Sequence, residues 1–410
     1  MSINIPSGYK QTKVGVIPED WKAIELAKLL TFKNGINASK EQYGTGYKFI
    51  NVLDIINNLV INYNNIIGLV NITEKELKLY EVKYGDILFQ RSSETREEVG
   101  QSNIYLDKNK IAVFGGFVIK GTPKQEYNPL YMNYLLKIRI VRNQIISRSG
   151  GSTRYNIGQN SLNQVIIPFP PLKEQQKIAQ ILTTWDSAIS KQEELIEAKE
   201  RLKKGLMQKL LSGEWEEVKL GDIAKLTSSK RVYLSDYVTK GIPFYRGKEI
   251  SKLKKNKYIK DLLYISEEKY LEIKDKYGIP KINDILITAV GTLGNILRIN
   301  NNHKFYFKDG NLIWLKEIKC NSLFLSYLLE YESNNILSSA IGSSQKALTI
   351  VALNKIKISI PPLQEQQKIA KVLTTADKEI ELLKEELDTL KEQKKGLMQR
   401  LLSGVVRVKV

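Results

Sequence analysis

Apolar residues recur every three or four positions along two stretches of about 40 residues, one near the middle of the chain and one near its end. In the second stretch, eight of nine such positions from 373 to 401 are apolar, and Lys394 occupies the other. This spacing over this length is typical of a coiled-coil helix. We therefore predict long helices over residues 172–211 and 363–402. The predicted seam comprises Leu182, Trp185, Ile189, Ile196 and Leu206 in the first helix and Leu373, Ile380, Leu383, Leu387, Leu390 and Leu397 in the second.

The two predicted helices are copies of one sequence. Pro-Pro-Leu-Lys-Glu-Gln-Gln-Lys-Ile-Ala begins at Pro170, and Pro-Pro-Leu-Gln-Glu-Gln-Gln-Lys-Ile-Ala begins at Pro361, 191 positions later. Proline before each stretch and Ser-Gly after it are helix start and stop signals. At 1.5 Å per residue, each helix would be about 60 Å long. Because the two seams share one register, we predict that the helices pair with each other within the chain.

The segment before each helix has a different pattern. Short β-rich runs, such as residues 86–89 and 284–288, alternate with turns rich in Gly, Asn and Ser, and residues 129–147 and 321–341 have helical spacing. We predict a mixed α/β (α+β) class: two globular domains joined by two long helices, with an internal repeat. The predicted boundaries are 1–170 for the first domain, 171–213 for the first helix, 214–360 for the second domain, 361–404 for the second helix and 405–410 for a C-terminal strand.

The charge of the chain is distributed unevenly along it. The 63 Lys and Arg residues exceed the 44 Asp and Glu residues, so the net charge is +19. Residues 1–171 and 215–350 each carry +7, whereas residues 172–211 carry +2 and residues 363–402 carry none. A basic surplus of this size indicates a polyanionic partner, most often nucleic acid. The distribution predicts that both globular domains bind DNA and that the helices space them.

Candidate contacts with DNA are basic, amide, hydroxyl and aromatic side chains grouped in predicted loops. Arg, Asn and Gln can contact base edges, whereas Lys and Ser more often contact phosphates. For any one of these residues, a solvated surface role is the simpler interpretation; their grouping favours DNA contact. The candidates are Lys33, Asn34, Arg91, Ser92, Ser93, Arg96 and Arg154 in the first domain, and Lys230, Arg231, Tyr245, Arg246, Lys248, Gln345 and Lys346 in the second.

Several kinds of chemistry are not expected. With one cysteine, Cys320, and one histidine, His303, the chain cannot build a Cys/His zinc site. It contains no G-x-x-x-x-G-K-[ST] phosphate loop and no Asn-Pro-Pro-Tyr methyltransferase motif. Asp86 and Asp284 occupy matching Asp-Ile-Leu turns, where an aspartate usually accepts backbone N–H bonds. We expect a cytoplasmic, non-catalytic protein without a metal, a cofactor, a signal segment or a membrane span.

The repeated motifs resemble those of a known family. These motifs are Trp-x-x-x-x-Leu at the start of each half, Gly-Asp-Ile-Leu, the run Gly342 to Leu348, and Pro-Pro-Leu-x-Glu-Gln-Gln-Lys-Ile-Ala before each helix. Together they are similar to the specificity subunit of type I restriction-modification systems. The first half departs from the pattern: residues 151–157 stand where the second half has residues 343–348, and Asn51 stands near the position of Arg246.

The resemblance implies a function for each part. Two target-recognition domains would each read one half of a bipartite double-stranded DNA sequence, and an antiparallel coiled coil would fix the unread spacer. The partners implied are two methyltransferase subunits, which use S-adenosylmethionine, and motor endonuclease subunits, which use ATP. The helices would also dock the methyltransferase, and the chain itself would have no active site.

The last residues and two alternatives complete the expectations. Residues 405–410 resemble the start of a further domain after Ser-Gly, and we predict a strand that packs on the first domain and closes a pseudo-twofold ring. One alternative is a stand-alone DNA-binding scaffold without a nuclease partner. The other, a self-contained methyltransferase, is disfavoured because the cofactor and catalytic motifs are missing.

Overall fold

The computed structural model describes residues 5–254, 258–342 and 346–409. The chain divides into two compact units. Unit 1 comprises Met1–Gln192 and Glu386–Val410, and unit 2 comprises Glu193–Glu385. Each unit therefore contains one globular domain, one end of the first long helix and the opposite end of the second.

Both predicted long helices are present, and each has 40 residues. The first is Leu172–Leu211 and the second is Leu363–Leu402. Each begins directly after its Pro-Pro pair, where fixed φ angles and missing N–H groups suit the first turn of a helix. After the second helix, Gly404 has a φ of 77°, a left-handed conformation that glycine adopts without steric cost.

Unit 1 consists of short strands and helices. Its strands are Tyr9–Thr12, Gly15–Pro18, Lys22–Glu25, Leu30–Asn34, Tyr43–Ile50, Leu69–Val70, Ile87–Gln90, Ser92–Ser93, Ser102–Ile104, Val113–Phe114, Val118–Pro123, Tyr155–Asn156 and Ile166–Phe169. Its α-helices before the first long helix are Leu26–Leu29, Val52–Asn57, Glu74–Tyr80, Pro129–Leu135, Arg139–Ser147 and Gln159–Asn163. Single 3₁₀ turns occur at Lys40–Gln42 and Tyr63–Asn65.

The centre of unit 1 is a four-stranded antiparallel sheet. Its apolar strand Ile87–Gln90 is buried along its whole length, as expected for an interior strand. The spatial order of this sheet is Leu30–Asn34, Val118–Pro123, Ile87–Gln90 and Ser102–Ile104. In a second sheet, Tyr43–Ile50 pairs in parallel with Val113–Phe114 and antiparallel with Leu69–Val70.

Unit 2 has the same organisation. Its strands are Glu216–Lys219, Lys225–Thr227, Tyr237–Val238, Ile242–Tyr245, Leu263–Ile265, Ile285–Thr288, Ile296–Arg298, Tyr306–Phe307, Leu312–Lys316 and Lys357–Ile360. Its shorter helices are Leu220–Ile223, Gly247–Leu253, Glu267–Tyr277, Ser322–Tyr331, Ser333–Ser338 and Ile350–Asn354, with a 3₁₀ turn at Leu234–Asp236. The main sheet has the order Lys225–Thr227, Leu312–Lys316, Ile285–Thr288 and Ile296–Arg298, which repeats that of unit 1 strand for strand.

A buried glutamine of the repeated motif joins each long helix to its domain. In unit 1, the Gln175 side chain accepts a hydrogen bond from the backbone N–H of Asn128 (2.9 Å). In unit 2, Gln366 accepts from the backbone N–H of Asn321 (2.8 Å). Each glutamine also donates to the carbonyl of the first proline of its Pro-Pro pair, at 2.9 and 2.8 Å. Because both asparagines cap a domain helix, the motif fixes the start of the long helix against that helix.

Within unit 1, the two long-helix segments run antiparallel and are joined by a polar cluster. Asp186 of the first helix accepts a hydrogen bond from the Tyr134 hydroxyl (2.5 Å) and forms an ion pair with Lys394 of the second helix. The Lys394 ammonium lies over the Tyr134 ring, 5.3 Å from its centroid. Lys394, the polar residue in the predicted seam, therefore has a specific partner on the facing helix.

Unit 2 contains the same cluster with the two helices exchanged. Asp377 of the second helix accepts from Tyr327 (2.6 Å) and pairs with Lys203 of the first helix (2.5 Å). The Lys203 ammonium lies 5.4 Å from the Tyr327 ring centroid. A second pair, Lys199 with Glu379 at 2.5 Å, has the same antiparallel order. The helix segments in each unit are thus set in register by equivalent residues.

The predicted seam residues lie on the covered side of the helices. Four of them are buried: Leu182, Ile196, Leu373 and Ile380. Most of the residues between the seam positions are exposed. The other seam residues are half-buried: Trp185, Ile189, Leu206, Leu383, Leu387, Leu390 and Leu397. The first three or so helical turns of each long helix also contribute to the core of the adjoining domain, through Ile178 and Leu182 in unit 1 and Ile369 and Leu373 in unit 2.

Lys137 has no counterpart in unit 2, and it should lower the stability of unit 1. This half-buried lysine lies near Lys394, and burial with that neighbouring charge lowers its pKa from 10.5 to about 8. Lowering the pKa from 10.5 to about 8 corresponds to about 3 kcal/mol, at about 1.4 kcal/mol per pKa unit. Solvent screening of this half-buried group reduces that cost, so Lys137→Met should stabilise the chain at pH 7 by about 2 kcal/mol. Denaturant unfolding of both proteins measures this difference.

The pH dependence has a definite sign. Between about pH 8 and pH 10.5 the unfolded chain holds a proton on Lys137 that the folded chain has released, so wild-type stability rises with pH in this window. The advantage of Lys137→Met should therefore be largest below pH 8 and shrink above it. Lys78→Met, at an exposed site of unit 1, serves as the control and should show no such trend. An equal advantage at pH 7 and pH 10 would contradict the explanation.

The predicted C-terminal strand is corrected by the structure. Residues 405–409 are irregular, and Val410 lies outside the described residues. In unit 2, the residues after the first long helix form Glu216–Lys219, which pairs with Lys357–Ile360. In unit 1, the corresponding partner strand Ile166–Phe169 is already paired with Lys22–Glu25. The position in the sheet is occupied, so residues 405–409 have no strand to join.

The C-terminal segment nevertheless packs on unit 1. Val406 and Val408 contact its core. The Arg407 guanidinium binds two carboxylates, with Nη1 and Nη2 on Asp20 (2.9 and 2.8 Å) and Nε and Nη2 on Glu174 (2.8 and 2.9 Å). Glu174 is only 2% exposed and also accepts from the Trp21 indole (2.8 Å). The ion pairs of Arg407 with Asp20 and Glu174 thus hold the C-terminal segment in place of strand pairing.

Candidate nucleic-acid interface

In unit 1, the candidate residues gather at one end of the main sheet. Lys33 and Asn34 end one strand, and Arg91 follows another. The turn at residues 115–117 and the residue after it join these segments. The N–H of Gly35 donates to the carbonyl of Val118 (3.2 Å), and the N–H of Arg91 donates to the carbonyl of Phe117 (2.8 Å). These side chains are distant in sequence but lie at one end of the sheet, because their strands flank the shared neighbour Val118–Pro123.

A loop and a hairpin extend this edge. Ser92–Ser93 pairs with Tyr155–Asn156, and the Ser92 hydroxyl bonds to the Asn156 side chain. Ser93 is buried, and its hydroxyl oxygen accepts from the N–H of Thr95 (3.2 Å). Arg96 and Arg154, on the loop and the hairpin, are exposed. Five of the predicted contacts, Arg91, Ser92, Ser93, Arg96 and Arg154, therefore lie on two segments that pair with each other.

Lys33 has a partner inside the protein. Its ammonium donates to the carbonyl of Leu79 (2.7 Å) and lies 5.1 Å from the centroid of the Tyr80 ring. Both residues are at the end of Glu74–Tyr80, where unpaired carbonyls favour a cation. Burial, assisted by the charge of Lys120, lowers the pKa of Lys33. Asn34, the next residue, is exposed at the sheet edge.

In unit 2, Lys230 and Arg231 lie on the segment that follows the first strand of the main sheet. The N–H of Lys230 donates to the Tyr306 hydroxyl (2.7 Å), and its ammonium lies 4.5 Å from the Tyr277 ring centroid. The Nε of Arg231 donates to Asp309 (3.0 Å). Asp309 belongs to the turn that corresponds to residues 115–117 of unit 1, so this segment occupies the matching edge of the sheet.

Tyr245, Arg246 and Lys248 lie at the end of the second sheet of unit 2. The Tyr245 ring packs on Phe305 with centroids 5.0 Å apart. Arg246 precedes the helix Gly247–Leu253 and binds the buried carboxylate of Glu249 with Nε (3.1 Å) and Nη2 (2.8 Å). Burial alone would raise the pKa of Glu249, but the bonds and charge of Arg246 more than offset it, and the pKa is lowered. Glu249 thus fixes the orientation of the Arg246 guanidinium, while Lys248 is exposed.

Lys346 is exposed, and Gln345 lies outside the described residues. The next residue, Ala347, forms a backbone bridge to Val290 of the loop after Ile285–Thr288. The same loop reaches Gly247, since a Cβ on that glycine would lie 3.6 Å from the Val290 carbonyl. Gly247, between Arg246 and Lys248, and Ala347, next to Lys346, therefore lie beside the same loop.

The two matched aspartates have structural roles. Asp86 accepts from the N–H of Lys83 (2.9 Å), and Asp284 accepts from the N–H of Lys281 (2.8 Å) and from the Trp314 indole (2.9 Å). Burial raises the pKa of both carboxyls. These contacts are the turn-forming bonds that the sequence predicts for this motif.

Three properties of the part of the chain that the structure describes bear on other kinds of chemistry. No group of three His, Cys, Asp or Glu side chains there could hold a metal ion. Burial raises the pKa of the half-buried Cys320 thiol to about 11, which disfavours the reactive thiolate. Over the same residues, no helix is both long enough and apolar enough to span a bilayer.

One residue at the unit 1 edge was missed by the sequence reasoning. Phe117 is 63% exposed, although it is a large aromatic residue in the turn beside Arg91 and Asn34. The signal was the run Gly-Gly-Phe before a β-rich segment, which places an aromatic residue in a tight turn. An exposed ring there can contact a base or a thymine methyl group.

Comparisons with known proteins agree with this architecture. The family model for the type I restriction modification DNA specificity domain matches residues 18–200 and 212–392. A Methanocaldococcus jannaschii protein described as the MjaX type I restriction enzyme specificity subunit is 31% identical, and the match covers 98% of this chain and 97% of that protein. The StySPI specificity subunit of Salmonella potsdam is 24% identical over 94% of this chain and 87% of its own length.

Solved structures show the same fold. The HsdS subunit from Thermoanaerobacter tengcongensis matches with a TM-score of 0.52 and 17% identity, covering 95% of this chain and 98% of that one. A chain from a study of complex assembly and conformational transition in the type I restriction-modification system matches with a TM-score of 0.61 and 15% identity, covering 95% and 99%. With two family domains, two long antiparallel helix segments in each unit and this similarity over nearly its whole length, the chain belongs to the DNA specificity subunits of type I restriction-modification systems.

Proposed function

We propose that each unit reads one half of a bipartite double-stranded DNA target. The observation that carries this proposal is the repeated placement of the candidate residues. In both units a group of candidates lies at the matching end of the main sheet: Lys33, Asn34 and Arg91 in unit 1, and Lys230 and Arg231 in unit 2. Each globular domain also has its own surplus of +7. Two equivalent basic edges in one chain suit two DNA segments rather than one.

The candidates divide into two groups by their surroundings. Exposed side chains at the edges can contact DNA directly, and they include Arg96, Arg154, Lys248 and Lys346. Arg246 presents a guanidinium whose direction is set by Glu249, a geometry suited to bidentate contact with guanine. Lys33 is bonded to the helix end at Leu79, and its contribution is to hold the sheet edge in place.

The long helices have a different role in the proposal. They carry almost no net charge, and the Asp186 and Asp377 clusters fix their register. We assign to them the separation of the two half-sites and the docking of two methyltransferase subunits. Motor endonuclease subunits would complete the complex. The chain itself would supply no catalytic group, and methylation and cleavage would take place on its partners.

Methylome sequencing of cells with and without this gene tests the proposal. Loss of the gene should abolish adenine methylation in one bipartite motif and leave other methylated motifs unchanged. Reintroducing the gene should restore that motif, which controls for effects on neighbouring genes. If the methylome of an active system is the same with and without the gene, the proposed function is wrong.

A further inference from the structure

The loop after the third strand of the main sheet differs between the two units. In unit 1 nine residues separate Gln90 from Gly100, and in unit 2 five separate Thr288 from Gly294. The same backbone bond closes both loops, from Gly100 to Gln90 and from Gly294 to Thr288, each at 2.9 Å. The four additional residues of unit 1 therefore lie within the loop and not in the strands.

The two loops also differ in chemistry. Residues 91–99 include five charged side chains, whereas residues 289–293 read Ala-Val-Gly-Thr-Leu. Residues 94–98 are exposed. Exposed carboxylates on a basic DNA-binding surface would be repelled by phosphates, but in the major groove a carboxylate can accept from the amino group of cytosine. Three glutamates and one arginine among residues 94–98 suit the reading of bases better than binding of the phosphate backbone.

A half-buried arginine supports the backbone of this loop. Arg142, on the helix Arg139–Ser147, donates from Nη1 to the carbonyl of Gly100 (2.6 Å) and from Nη2 to those of Val99 (2.6 Å) and Glu97 (3.0 Å). Burial lowers the pKa of this guanidinium to about 10. These hydrogen bonds all end on backbone carbonyls of the loop. A planar group with five donors can satisfy carbonyls on two sides, which a lysine ammonium cannot do in the same way.

Packing holds the end of the same loop. Val99 is buried in the unit 1 core. Gly100 has a φ of 65°, and a Cβ there would lie 2.4 Å from a methyl group of Ile145 on the Arg142 helix. In unit 2, the corresponding helix Ser333–Ser338 contains no Arg or Lys. The arginine support is thus specific to the longer, charged loop.

We infer that Arg142 is a positioning residue for DNA reading by unit 1, and that the loop it holds determines the specificity of that half-site. The inference rests on the proposed function, because it assumes that unit 1 reads one half of the target. Without Arg142, three loop carbonyls lose their partners and the tip at residues 94–98 loses its defined shape. Unit 2, whose loop is shorter and whose corresponding helix Ser333–Ser338 has no Arg or Lys, should not depend on such a contact.

The test uses the full chain in its own cells and compares methylomes. Three variants are required: Arg142→Met, Arg142→Lys, and deletion of residues 94–97, which shortens the loop to the length found in unit 2. Arg142→Met and the deletion should each reduce discrimination at the same half-site by about tenfold or more, the value of one good base contact. The other half-site should be read as in the wild type. Arg142→Lys should give an intermediate loss.

Asn335→Met, on the corresponding helix of unit 2, is the control and should leave both half-sites unchanged. Purified variants are also melted, so that loss of fold is separated from loss of reading. Normal reading of both half-sites by Arg142→Met, or equal loss at both with a wild-type melting temperature, would overturn the inference. If Arg142→Met does not accumulate, Arg142→Lys decides by the same criteria. A wild-type gene without effect on the methylome would instead refute the proposed function.

Discussion

Inserting one heptad into each long helix should lengthen the unread spacer of the DNA target and leave both half-sites unchanged. The insertion points are the positions where the helices pass between the units, after Gln192 and after Glu385. Seven residues add about 10 Å of helix, which corresponds to at most about three base pairs. A full heptad keeps the seam in register, because the apolar pattern repeats every seven residues. Methylome sequencing of cells that carry the altered gene identifies the new motif and its spacer length.

One further insertion makes this experiment decisive. With a heptad in only the first helix, the pairs Lys203–Asp377 and Asp186–Lys394 could no longer form together. Keeping one pair in register would displace the residues of the other. Such a chain should lose recognition altogether and not acquire a new spacer. The lengthening of residues 172–211 alone therefore serves as the mismatched control. A change in the bases of either half-site after the paired insertion would refute the division between reading domains and spacing helices.

Replacing Arg407 should destabilise unit 1 by about 3 kcal/mol, the cost of leaving a buried charge without its partner. Glu174 is 2% exposed and would keep only its bond from Trp21. The variant Arg407→Met retains most of the side-chain volume, so the loss reports on the charge. Because a chain with two compact units need not unfold in one step, hydrogen exchange of the unit 1 amides is the appropriate measurement.

The chain offers a matched control for this prediction. Glu365 occupies the position of Glu174 in the second copy of the motif, but its side chain is 45% exposed and its ion pair with Lys368 spans 3.7 Å. Glu365→Gln should change stability by less than about 0.5 kcal/mol. Adding Glu174→Gln to Arg407→Met should recover part of the loss, since the unpaired charge is removed. If deletion of residues 405–410 has no effect on stability or DNA binding, the ion pairs of Arg407 have no role in either.

Local sequence patterns predicted the long helices well. The 3-4 spacing, the prolines before each helix and the Ser-Gly after it all act within a few residues of where they occur. The two helices accordingly span residues 172–211 and 363–402, as predicted. The duplicated motif also predicted the repeated fold, because the same sequence in the same context packs in the same way.

The candidate interface was predicted only in part. The groups around Arg91 and Arg246 come together at sheet edges, as their loops suggested. The internal partner of Lys33 and the support of the loop by Arg142 were not predicted, since each contact joins residues more than 40 positions apart. A lysine in a strand and an arginine in a helix give no local sign of whether they face DNA or a backbone carbonyl.

The sequence by itself determined the repeat, the two long helices, the basic charge of each domain and the family, because periodicity, capping and composition are local properties. Only the tertiary structure decided which charged residues face outward and how the chain ends. Residues 405–409 show the reason: their sequence suits a strand, but Lys22–Glu25 already occupies the partner strand, so Arg407 binds Asp20 and Glu174 instead. Competition between distant segments for one position is a property of the folded chain.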